Sequence, residues 1–318
     1  MIRSSLRRLR QLDLDPLHAL RVVVRTLIRA LVRLWGRDVM LFTGGVSFFI
    51  MLAIFPALAI LIGLYSLIAD PAQAAREGEA LARLMPVGAR GIFQSELLRL
   101  TTTPHAAIST QSGLALLIGV YAAHRGFKAL LAGLSFIHDE DKPRGFVGFN
   151  VLALLVLVAT FAALGVISSV FFGLRVMGSA FELRPLRGVS WLYSEWTWAS
   201  AGLSIGLACI YRFAMSSRPV DWRASIVGGV VAATLCLGSS WAIAVYVEQV
   251  AHLGATYGSI ATVVVFLIWL SWTVNSIFFG GALATEVELA LEAMEIHRMP
   301  RILSDLRGAK PLAWPPES

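Results

Sequence analysis

The chain has 318 residues, of which 57% are hydrophobic and only 15% are charged, with a mean hydropathy of +0.72. Soluble domains carry nearer a quarter charged residues, so this composition excludes an ordinary soluble globular protein and points to an integral membrane protein. A net charge of +7 reads as membrane topology rather than nucleic-acid binding, because no soluble segment interleaves aromatic and basic residues as a base-stacking surface would.

The first 38 residues form a basic arm. Arg21, Arg25, Arg29, Arg33 and Arg37 recur every fourth residue, which in a helix advances each by about 40° around the axis. Leu20, Val23, Val24, Leu27, Leu31, Leu34 and Trp35 fall mainly on the other side. The pattern predicts a basic amphipathic helix in the headgroup layer, with the five arginines as contacts for anionic lipid. A voltage-sensor reading is disfavoured, because the arginine helix precedes a complete span instead of forming one. The extreme N-terminus lacks the pattern of a cleaved signal peptide.

Five uncharged or nearly uncharged runs and one weaker segment predict six spans, at about 39–69, 106–124, 146–174, 190–211, 224–247 and 256–282. The first contains Pro56, whose missing amide hydrogen opens the helix ladder, either as a plain kink or beside a cavity. The segment 70–105 reads as an outer loop with two short helices. The second span is the weakest, and its helix is expected to continue towards residue 137 with Arg125 and Lys128 reaching for the headgroups. The loop His138-Asp139-Glu140-Asp141 reads as a solvated turn, since no second ligand cluster accompanies it.

The third span opens near Asn150, a polar candidate close to water. Glu195, among Trp191, Tyr193, Trp196 and Trp198, reads either as an interface carboxylate or as a cavity group. Gly202-x-x-x-Gly206 offers a small face on the fourth span, and Gly228, Gly229, Ala232 and Ala233 offer another on the fifth. The sixth span lies in an uncharged run, 253–285, that is thirty-three residues long. It includes Gly254, Tyr257 and Gly258 towards its outer end and Asn275 deep inside. An amide at that depth needs a partner, either another helix or a substrate or ion. Residues 286–318 read as a cytoplasmic helix over 287–298 followed by a Pro-rich tail.

Charge placement supports this count. With the N-terminus inside, twenty of the 27 Lys and Arg fall on the cytoplasmic side and seven outside, as the positive-inside rule requires. The expected fold is therefore all-α: a polytopic six-helix membrane bundle with both termini cytoplasmic. No Walker loop, dinucleotide glycine pattern, zinc-protease helix or serine elbow occurs, so no enzyme and no cofactor are expected. Cys209 and Cys236, the two cysteines, lie in apolar runs and support neither a disulfide scaffold nor a metal site.

Tyr257-Gly258-Ser259, the run after it and the Gly280-Gly281 exit to Glu286 resemble the YihY/BrkB family of bacterial inner-membrane proteins. Tyr211-Arg212-Phe213, Val220-Asp221-Trp222-Arg223 and the Ser47 to Pro56 segment are similar to it as well, the likeness covering about 34–288. The loop from Leu134 to Arg144 departs from it, with Ser135, His138 and Lys142 where members often carry other residues. The resemblance implies six spans with both ends inside. It implies no secure activity, and the family's older ribonuclease label is regarded as a misattribution. The leading expectation is a transporter, permease or flippase-like protein for an unidentified solute or lipid; the alternative is a non-catalytic envelope scaffold, and ribonuclease is remote. Small-residue faces serve contacts within and between subunits equally, so a homo-oligomer stays open.

Overall fold

The computed structural model describes residues 16–36, 39–66, 94, 110–138, 145–180, 195–249 and 261–308. Among the described residues the long elements are seven α-helices: α1 Pro16–Trp35, α2 Met40–Ser66, α3 Thr110–His138, α4 Phe146–Ala180, α5 Glu195–Phe213, α6 Trp222–Gln249 and α7 Ala261–Gly308. No strand occurs among the described residues. Backbone hydrogen bonds satisfied within each segment are what a hydrocarbon environment demands.

Three of these helices contain stretches long and apolar enough to cross a membrane: Phe146–Ile167, Trp222–Tyr246 and Val263–Ala293. A fourth arises if Leu20–Trp35 and Met40–Ile54, bent by 75° at the break between them, count as one span. The expected outer loop 70–105, Gly254, Tyr257, Gly258, Arg37 and the tail beyond 308 lie outside the described residues. So do the side chain of Glu195, whose backbone opens α5, and Asp139 to Asp141. At the other end, α7 runs 48 residues to Gly308, where the sequence suggested a helix ending near 298. Pro300 removes one amide donor from that helix without stopping it.

α7 packs against α1, α2, α3, α5 and α6, while α4 lies to one side against α3 and α5. The core at their meeting point holds Leu134, Ile137, Tyr211, Met215, Val274 and Phe278, all fully buried. Glycine sets how close the helices come. A Cβ on Gly228 would stand 2.5 Å from the Gly280 carbonyl oxygen, and one on Gly229 would stand 2.6 Å from the Ser204 carbonyl oxygen. Adjacent residues in a helix point about 100° apart, so the Gly-Gly pair lets α6 touch α7 on one side and α5 on the other. Ala232 and Ala233 continue these faces and are buried. Without a hydrophobic drive between helices in lipid, such close van der Waals contact is the main source of association.

Candidate functional site

At one end of the bundle, α1, α3, α6 and α7 bring polar side chains together. Arg33 donates from Nε to Glu286 Oε1 at 2.8 Å, its Nη2 lies 2.7 Å from the same oxygen, and its Nη1 donates to the Ile137 carbonyl at 3.1 Å. Glu286 is buried. His138 Nδ1 lies 3.1 Å from Thr285 Oγ1, and its Nε2 is 3.9 Å from Glu288 Oε2. Glu288 Oε1 accepts the Asp221 amide at 3.1 Å, and Asp221 Oδ1 accepts the Arg223 amide at 2.9 Å. The last turn of α3, the start of α6 and the middle of α7 are thus tied through carboxylates and backbone groups.

Of the five arginines expected as lipid contacts, Arg33 is the one that the structure pairs with Glu286. Four-residue steps overshoot the helical repeat by about 40° each, so Arg33 sits about 120° around from Arg21. That rotation places it on the face of Thr26, Ala30 and Leu34, and Ala30 and Leu34 are buried. Arg21, Arg25 and Arg29 remain exposed. Beside them, Leu20, Val24 and Ile28 are exposed as well, and these six residues line a groove of about 490 Å³.

The polar candidate on α7 and the proline of α2 both meet a neighbouring helix. Asn275 Oδ1 accepts the Thr43 hydroxyl at 2.9 Å, with Thr43 buried, which hydrogen-bonds α7 to α2. Pro56 presses its ring on α3 at Gly119, where a Cβ would stand 2.0 Å from the proline Cβ. α3 can only lie this close because residue 119 has no side chain. Gly202 and Gly206 do not share one contact: a Cβ at Gly202 would meet Ile167 Cδ1 at 2.8 Å, whereas one at Gly206 would meet nothing within 4 Å. Asn150 accepts Lys128 Nζ at 2.9 Å and donates to the Phe146 carbonyl at 2.7 Å. Among the described residues no group of three or more His, Cys, Asp or Glu is placed to hold a metal ion.

Tyr211 and Arg212, which carry part of the family resemblance, each bond to a backbone carbonyl. The Tyr211 hydroxyl donates to the Ile277 carbonyl at 2.6 Å beside the Gly228–Gly280 contact. Arg212 donates to the Val220 carbonyl and lies 4.6 Å from the Trp222 ring centroid, bracing the turn into α6. A tyrosine and arginine next to a Pro-containing loop were the available signal.

Comparison with known proteins decides the family. The family described as Virulence factor BrkB matches residues 30–301. The chain belongs to the BrkB family. A UPF0761 membrane protein of Paraburkholderia xenovorans (strain LB400) is 30% identical over 109 residues, covering 33% of this chain and 24% of that protein. The ribonuclease-like protein YfkH of Bacillus subtilis (strain 168) is 22% identical over 243 residues, covering 74% of this chain and 85% of its own. The chain therefore spans about a quarter of the first relative and most of the second. No solved structure matches. With its several apolar helices, this BrkB family member is a multi-pass membrane protein.

Proposed function

We propose that this BrkB family member is a six-span protein of the bacterial inner membrane, with both termini cytoplasmic, that engages anionic lipid through α1 as an envelope scaffold. The exposed face of α1 carries the reading: Arg21, Arg25 and Arg29 flank the apolar groove of Leu20, Val24 and Ile28. Cations beside an apolar strip suit a helix lying flat in the headgroup layer. The 75° bend from α1 into α2 fits such a helix followed by a span. Twenty of 27 basic residues on the cytoplasmic side support the orientation.

The test reconstitutes the full chain in nanodiscs of phosphatidylcholine alone or mixed with phosphatidylglycerol. Trypsin should cut at Arg21, Arg25 and Arg29 more slowly in the anionic discs, and high salt should remove the difference. Equal cleavage in both discs would sink the proposal.

A second reading, a transporter, permease or flippase-like protein, draws on Asn275 and Thr43, which place a polar pair between α2 and α7 within the bundle. Its test is flux of ions, metabolites and labelled lipids in sealed liposomes, with Asn275→Ala as the variant. Folded protein that moves none of them removes this reading. The ribonuclease wording attached to the Bacillus relative has no counterpart among the described polar clusters. RNA cleavage by purified protein that disappears when Asp139 and Asp141 are replaced would reinstate it.

A further inference from the structure

Away from the Arg33–Glu286 cluster, α3 carries a second set of cations where α4 begins. Lys128 Nζ donates to Asn150 Oδ1 at 2.9 Å and lies 4.9 Å from the Phe146 ring centroid. His124 Nε2 is 3.3 Å from the Asn150 carbonyl oxygen. One turn earlier, Arg125 Nε donates to the Tyr121 hydroxyl at 2.9 Å, its guanidinium carbon 5.5 Å from that ring. Every partner of Arg125 and Lys128 here is neutral: a phenol, an amide and two aromatic rings. Among the described residues no carboxylate pairs with either cation. Arg125 thus uses one of five N–H donors in a hydrogen bond, and Lys128 one of three.

The surroundings are apolar and uncovered. Leu117, Ile118 and Val120 on α3, and Val147, Val151 and Leu154 on α4, are all exposed. The apolar stretch of α4 starts at Phe146, level with Lys128, so the cations stand where headgroups meet acyl chains. Cations at a lipid-facing surface need a counter-charge, and none of the described residues offers one within reach.

We propose that the crevice between α3 and the first turns of α4 binds the phosphate of an anionic phospholipid. Arg125 and Lys128 hold the phosphate oxygens, His124 and Asn150 fix the lysine side of the crevice, and the acyl chains run along the exposed residues just named. This site is separate from the α1 arm and does not rest on the arm binding lipid.

Native mass spectrometry of the full-length protein in detergent, titrated with phosphatidylglycerol or phosphatidylcholine, tests the assignment. Wild type should retain phosphatidylglycerol preferentially. Arg125→Gln and Lys128→Gln together should weaken retention by about fivefold for each cation removed. The triple variant Arg21→Gln, Arg25→Gln, Arg29→Gln should leave this tightly held lipid in place, which separates the crevice from the arm. If the double variant does not fold, the exposed Arg125→Gln alone should lose lipid and Arg125→Lys should keep most of it. Unchanged retention in the crevice variants, or loss only in the arm variant, overturns the proposal. Equal displacement by inorganic phosphate would show a soluble-anion site instead. A change in oligomer size without loss of lipid would show that a second copy covers this face, and it too overturns the proposal.

Discussion

Replacing Gly228 by alanine tests whether backbone contact holds α6 against α7. The new methyl would stand 2.5 Å from the Gly280 carbonyl oxygen, 2.9 Å from the Ala284 Cβ and 3.3 Å from Tyr211 Cδ2. The first of these is main chain inside a helix and cannot swing aside, so α6 must shift and loosen the core around Tyr211. Overpacking of this kind costs about 1–3 kcal/mol. Against it stands the helix preference for alanine over glycine, worth up to about 1 kcal/mol. The clash should win, leaving Gly228→Ala less stable by up to about 2 kcal/mol. Gly206→Ala supplies the control, since its methyl would meet nothing within 4 Å and only the favourable helix term remains. Equilibrium unfolding in mixed detergent and dodecyl sulfate micelles, followed by far-UV circular dichroism, measures both. If the two variants shift stability alike, or Gly228→Ala is the more stable, the steric reasoning is refuted.

Arg33→Ala should cost about 3 kcal/mol, because it strands Glu286 in a site with little water. Converting both Arg33 and Glu286 to methionine should recover most of that loss, and the same unfolding assay reads the recovery. Asn275→Ala and Thr43→Val should each cost about 0.5–1.5 kcal/mol, with the double variant costing less than their sum; strict additivity would deny the hydrogen bond. Gly119→Leu should disrupt the α2–α3 contact at Pro56, seen as a lower melting temperature in detergent; Pro56→Ala in the same chain should relieve part of the defect.

The helical, membrane-embedded character was legible from the sequence because it depends on local composition. A run such as 253–285 admits few other fates, and the family resemblance rests largely on residues within that run, Tyr257-Gly258-Ser259 and Gly280-Gly281. Small-residue positions were legible as well: Gly228 and Gly229 stand out in a stretch that otherwise favours bulky side chains. What they touch was not legible, because Gly280 and Ser204 come from different helices. The site shows the same divide. Arg33 counted as one more member of a periodic stripe, and only its rotation about the axis together with a glutamate 253 positions away assigns it to the protein interior. Asn275 was conspicuous by its depth, yet nothing in the chain around it specified a threonine from α2 as its partner.

The two-sided grip on α6 has a kinematic consequence. Gly228 bears on Gly280 and Gly229 on Ser204 at nearly the same height, so spin about the helix axis drives one or the other side into a neighbouring backbone. Beyond that height α6 stays fastened to α7, with Cys236 Sγ 3.7 Å from the Thr273 carbonyl oxygen and Trp269 Nε1 donating to Ser240 Oγ at 2.9 Å. The grip lies near the start of α6, and Gln249 is about 30 Å farther along at 1.5 Å per residue. α6 is thus keyed against rotation at a pair of glycines and tied to α7 along the turns that follow.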